Sequence, residues 1–117
     1  MSGARSYHAG RVAEDSVAQH YARSGREIAA RRWRGRSGEI DIIARDGEGI
    51  VFIEVKASAT HARAAERVSP RQQARIYGAA AEFLGAQPRG MLTEARFDVA
   101  LVDAMGRIAI IENAFAA

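Results

Sequence analysis

The stretch GEIDIIARDGEGIVFIEVK, residues 38–56, decides how this chain folds. Its two ends, GEIDIIAR and IVFIEVK, are rich in Ile, Val and Phe, the composition of strands that pack on a pleated surface. Between them DGEG, residues 46–49, supplies the glycines of a tight turn, so the stretch reads as a β-hairpin. Yet three charged residues, Asp41, Glu54 and Lys56, stand inside these apolar strands. Side chains alternate along a strand. That sets Glu39, Asp41 and Ile43 on one face, and Phe52, Glu54 and Lys56 on one face of the partner. A turn centred between Gly47 and Glu48 pairs residues whose numbers sum to 95, so Asp41 falls opposite Glu54 and Glu39 opposite Lys56.

Residues directly opposed across two strands have Cβ atoms about 5 Å apart, and carboxylates so placed repel. They need a cation between them or a shared proton. Lys56 supplies part of that compensation. A divalent ion such as Mg²⁺, which favours hard oxygen ligands, would supply the rest. The other reading is the polar face of an ordinary antiparallel hairpin, with Glu39 paired to Lys56 and both Asp41 and Glu54 solvated. The spacing alone is compatible with both.

On the N-terminal side the spacing is helical from Gly10 to about Gly25, with Glu14, Val17, Ala18 and Tyr21 on one face. A carboxylate on such a face is costly unless something pairs with it, which sets Glu14 beside the hairpin acids as a site candidate. As a first-turn acid it would also be favoured by the helix dipole. REIAARRWR, residues 26–34, reads as an arginine-rich strand. On the C-terminal side, residues 57–68 lack a clear period and are expected to form a mobile loop. A second helix begins near Ser69-Pro70, a serine cap followed by a first-turn proline, and runs to about Gly85. Its apolar stripe is Ile76, Ala79, Ala80, Phe83 and Leu84, with Gln72 on the stripe's N-terminal edge. EARFDVALVD and GRIAIIENAF are two more strands around a turn at Ala104-Met105. The order αβββαββ predicts one α/β (α+β) domain over residues 1–117, helices against a mixed sheet, with residues 1–9 as a flexible tail.

A hydrophobic content of 48 % excludes a disordered chain. No apolar run approaches a bilayer span and MSGARSYHAG lacks a signal-peptide core, so a soluble, cytoplasmic protein without a membrane partner is expected. With no cysteine there is neither a disulfide framework nor a thiolate metal site, and His8, His20 and His61 form no ligand pattern. Net charge is only +3, but of 17 basic residues 16 are arginine. Such usage follows from genomic composition as readily as from phosphate binding. The single lysine, Lys56, is the more informative residue, because its compact ammonium differs chemically from guanidinium. Arg31, Arg32, Arg34 and Arg36 could hold a phosphate backbone while Trp33 among them stacks on a base. Otherwise they form a solvated strand edge, and Trp33 caps the core, which is the preferred position for it. Arg96 and Asp98 read as an internal salt bridge.

The hairpin resembles the PD-(D/E)XK nuclease signature, with Asp41 as the first acid and Glu54-Val55-Lys56 as the E-x-K. Over nearly the whole chain, GRVAED, RRWRGRSGEIDIIARD, VFIEVK, VSPRQQARI and ARFDVALV resemble, in order, the YraN-like family of uncharacterised bacterial proteins. That resemblance implies a restriction-endonuclease-like fold, similar to archaeal Holliday junction resolvases, whose αβββαβ core agrees with the order above. It implies Glu14, Asp41 and Glu54 as ligands of Mg²⁺ or Mn²⁺, and Lys56 beside the attacking water. Gln72 would be an accessory residue, where relatives often carry lysine. This chain departs from the relatives at Ser58, where they tend to have arginine, and at Arg32, where they tend to have asparagine. The implied function is metal-dependent hydrolysis of DNA phosphodiester bonds. Nothing here reads bases, so a structure-selective or nonspecific substrate is expected. Two competing expectations are a nucleic-acid-binding module that keeps the fold without cutting, and a protein-interaction domain. Resolvase-like relatives act as dimers, which raises a homodimer here, although no self-association motif stands out.

Overall fold

A computed structural model of the chain describes residues 3–115, with side chains described from Gly10 onward. Helix α1 (Gly3–Arg23) is followed by strands β1 (Glu27–Arg34), β2 (Glu39–Asp46) and β3 (Gly49–Ala57). Helices α2 (His61–Ala65) and α3 (Pro70–Gly85) come next, then a 3-10 turn (Gly90–Leu92), β4 (Ala95–Val102) and β5 (Ile108–Ile111). The five strands form one sheet in the order β1-β2-β3-β4-β5, with every neighbouring pair antiparallel except the parallel pair β3–β4. A parallel pair needs a crossover, and α2 with α3 provides it. The expected mixed sheet and its order are therefore present.

Local chemistry explains most boundaries. Ser69 caps α3 by accepting from the Gln72 N–H at 3.1 Å, with Pro70 in the first turn. Gly47 opens the hairpin turn at φ 63°, a conformation glycine adopts without steric cost. Three expectations shift. Helix α1 starts at Gly3 rather than Gly10, and of the tail expected over 1–9, residues 1 and 2 lie outside the described residues. The segment expected as a mobile loop contains α2, whose cap Thr60 accepts from the Arg63 N–H at 3.1 Å. Ala64 on α2 is buried against Val99 and Leu101, which is what holds so short a helix. Strand β5 is also shorter than expected.

The two faces of the sheet are covered by different helices. Val17, Ala18 and Tyr21 of α1 pack against Ile42, Val51, Ile53 and Ala100. On the opposite face Ile76, Ala79, Ala80 and Leu84 of α3 meet Ile40, Ile43, Phe52 and Phe97. Fully burying one such large side chain stabilises by about 1.5–3 kcal/mol, so these faces fix the layers. Trp33 meets Phe83 edge-on, ring centroids 5.5 Å apart, and caps the α3 side of the core as preferred. Among the described residues no helix is long and apolar enough to cross a membrane.

The alternation of β2 slips at Asp41. Ile40 packs toward α3 whereas Ile42 and Ala44 pack toward α1, although a strand should turn residues two apart to the same face. Strand β1 slips at the facing position: Ala30 and Trp33 both pack toward α3, and Arg32 between them has a φ of 50°. This left-handed backbone is unfavourable for most residues and is tolerated by asparagine.

Candidate functional site

The β2–β3 ladder runs from Asp46↔Gly49 to Ile42↔Ile53 in the expected register, each pair summing to 95. There it ends. Ile40 and Glu39 continue on β1, opposite Trp33 and Arg34, while Glu54 to Ala57 continue on β4, opposite Val99 to Val102. The hairpin is thus split at its open end, and the Asp41 carboxylate bridges the gap by accepting the Val55 N–H at 2.8 Å. The split forms a cavity of about 350 Å³ whose walls include Glu14, Asp41, Glu54, Lys56, Gln72 and Arg75.

The expected partners are partly rearranged. Asp41 and Glu54 do meet: both line the cavity, close enough that the Glu54 charge raises Asp41. Lys56 Nζ lies 3.1 Å from Glu54 Oε2, not against Glu39, which is 3.3 Å from Arg34 instead. The slip at Asp41 is the reason: Glu39 stays with β1 while Lys56 leaves with β3. Gln72 Nε2 donates to the same Glu54 oxygen at 2.7 Å, so the start of α3 does reach the site. Glu14, from α1, lines the cavity, but its Oε1 is 3.0 Å from Arg32 Nε and 3.7 Å from Arg31.

Burial sets the electrostatics. Glu54 is 6 % exposed. Desolvation, and then the Glu54 carboxylate, push Asp41 up to about 8, against the opposing pull of the Val55 N–H. Glu54 is also raised by burial, with Lys56 opposing. Burial and proximity together disfavour full ionisation of the pair.

Among the described residues no three Asp, Glu or His side chains form a ready-made ligand group for a metal ion. The donor chemistry nevertheless fits a hard dication. A half-buried and a buried carboxyl group, both raised by desolvation, offer oxygen ligands on which a divalent cation would compete with a proton. Asp41 and Glu54 form the nucleus, and Glu14 stands on the wall beside them, drawn toward its arginines.

Of the four arginines considered for phosphate contact, three are in ion pairs: Arg31 with Asp15 at 2.8 Å, Arg32 with Glu14, and Arg34 with Glu39. Arg36 is exposed, on a loop pinned to α3 by Glu82, which accepts the Arg36 and Ser37 N–H groups at 2.8 and 3.0 Å. Those two donors hold the Glu82 carboxyl below its usual range. Arg96 and Asp98 form the expected internal pair at 3.0 Å. Asp98 is fully buried and also accepts from the Tyr21 hydroxyl at 2.8 Å and the Asn113 N–H at 3.0 Å, which ties β4 to α1 and away from the cavity. One lining residue escaped the sequence reading. Arg75 follows Gln72 by three positions and precedes Ile76, so helical spacing alone places it on the same face.

Comparison with known proteins supplies the family. The model of the uncharacterised protein family UPF0102 matches residues 13–102. A UPF0102 protein of Cereibacter sphaeroides is 68 % identical over 117 residues, 100 % of both chains. One from Ruegeria pomeroyi is 57 % identical, covering 97 % of this chain and 92 % of its own. Another, from Dinoroseobacter shibae, is 42 % identical over 95 % of this chain and 83 % of its own.

Proposed function

The chain belongs to the uncharacterised bacterial family UPF0102, and we propose that its split hairpin is the active site of a metal-dependent nuclease of PD-(D/E)XK type. The observation that carries this reading is the convergence in one cavity of a half-buried carboxyl group, Asp41, and a buried one, Glu54, with an ammonium 3.1 Å from the second. Buried like charges are costly unless a cation joins them, and a fold that stabilises for its own sake has no use for the pair. Asp41 and Glu54 would hold Mg²⁺ or Mn²⁺, with Glu14 as the nearest further carboxylate. When bound, such an ion polarises a phosphoryl oxygen and lowers the pKa of a coordinated water.

The chain's own groups do the rest. Asp41 gives up its proton and keeps one oxygen on the Val55 N–H, so the carboxylate is held in place. Gln72 fixes the orientation of Glu54. Lys56 sets positive charge where a phosphate entering the cavity develops negative charge, which is electrostatic stabilisation and not proton abstraction. DNA phosphodiesters, reached in a structure-selective or nonspecific manner, fit a site without base-reading groups.

A second reading, a nucleic-acid-binding module without hydrolysis, draws support from Glu14, whose carboxylate is engaged by Arg32 and Arg31. One experiment separates the two. Labelled single-stranded, duplex, flap and four-way-junction DNA are incubated with the protein in Mg²⁺, Mn²⁺ or EDTA, alongside Asp41→Ala and Lys56→Ala. Hydrolysis should require the ion and fall about 10²–10³-fold in each variant. Cleavage that persists in both variants removes the site assignment. Binding without cleavage under either ion hands the protein to the second reading.

A further inference from the structure

We propose that one unpaired nucleic-acid strand lies across the acidic cavity and continues into an adjoining groove, gripped by Arg75 on one side and Arg67 on the other. This rests on the nucleic-acid reading above and names the substrate form. The groove has a volume of about 660 Å³ and shares Val55, Lys56 and Ala57 with the acidic cavity, so the two are continuous across the end of β3. Arg75 lines the first and Arg67 the second, with Lys56 common to both. Arg75 and Lys56 thus stand in the cavity that holds the carboxyl pair, and Lys56 and Arg67 in the groove that continues it.

Both terminal arginines are exposed, and among the described residues neither is in an ion pair. Arg67 is braced by one N–H on the Ala57 carbonyl at 3.0 Å, which leaves its other donors for a ligand. The carboxylate lining this groove, Asp103, is already engaged by Arg107 Nε at 2.8 Å and by the N–H groups of Met105 and Arg107. The β1 arginines, by contrast, are neutralised by their own acids. Charge complementarity for a polyanion therefore lies along α2–α3, not along β1.

The floor of the groove decides the form of the strand. Val12, Val55, Val102 and Ala104 make it aliphatic between the cations. A duplex keeps its base faces stacked inside and offers such a floor only sugar and phosphate. An unpaired strand can lay bases on it while its phosphates reach the arginines.

The test is anisotropy of a labelled single-stranded oligonucleotide and of the blunt duplex of the same sequence. It is run in EDTA, so that hydrolysis plays no part, over a series of salt concentrations. The single strand should bind more tightly than the duplex. Arg67→Ala and Arg75→Ala should each weaken it roughly 5–10-fold and reduce the salt slope by about 1. Arg75→Lys should keep most of the affinity, and Arg34→Ala should change it less than two-fold, roughly, as expected of a charge already paired. Unchanged affinity in both alanine variants, or tighter binding of the duplex, overturns the proposal while leaving the hydrolytic reading standing. Failure of the wild type to bind either DNA at low salt overturns both. Binding as described without cleavage in any metal supports this track and removes only hydrolysis.

Discussion

Asp41 is a carboxyl group that the fold keeps protonated well above the ordinary range. Its pKa rises from 3.8 to about 8, first through burial and then through Glu54. Between those values the folded chain binds a proton that the unfolded chain releases. Stability from this source is therefore fully present only below the unfolded value of 3.8, declines as pH rises from there, and is gone by about 8, the reverse of an ordinary salt-bridged acid. Asp41→Asn keeps an acceptor for the Val55 N–H and removes the charge. In EDTA it should stabilise the protein at pH 8.5 by about 1–3 kcal/mol, a gain that shrinks steadily as pH falls toward 3.8, read as Tm across a pH series. A variant less stable than wild type at the alkaline end would show that Asp41 is not a strained acid. Lys56 is the complementary residue: with guanidinium everywhere else, an ammonium stands where a compact charge must fit beside Glu54.

The split in the β2–β3 hairpin is made by neighbouring elements as much as by the hairpin. Strand β1 carries the start of β2 away, β4 carries the end of β3, and the loop between β1 and β2 is pinned to α3 through Glu82. That loop approaches α3 so closely that a Cβ on Gly78 would sit 2.5 Å from Ser37 Cβ and Oγ. Gly78→Ala should therefore cost about 1–3 kcal/mol despite alanine's better helix propensity, lowering Tm by several degrees. Adding Ser37→Gly should restore most of the loss, and no loss in the single variant would mean that the loop is not seated there. At this level much could be read in advance. The register of the hairpin, the Ser69-Pro70 start of α3 and its buried stripe all follow from local patterns. What could not be read is non-local. The phase slip at Arg32 and Asp41 needs two strands to deform together, and α2 is too short to show a period. Strict alternation consequently set Lys56 against Glu39, and the slip gave it to Glu54.

In the whole molecule, α1 covers one face of the sheet, α3 covers the other, and the acidic cavity opens where both helices approach the split strands. The Tyr21–Asp98–Arg96 network, centred on the buried Asp98, fastens α1, which carries Glu14, to β4. Glu14, Asp41, Glu54, Lys56 and Gln72 were all named from the sequence, because acids and amides on apolar faces are conspicuous, and they line one cavity. Arginines are not conspicuous in a chain with 16 of them, and only the fold separates the paired ones on β1 from those along the groove. The central claim is that this cavity captures a hard dication at the expense of a proton. Titration calorimetry of Mn²⁺ into the protein, repeated near pH 7 in buffers of different ionisation enthalpy, tests it directly. The account predicts saturable binding with net proton release in the wild type, and none in Asp41→Asn. Equal binding by the two proteins, or no binding by the wild type, would contradict it.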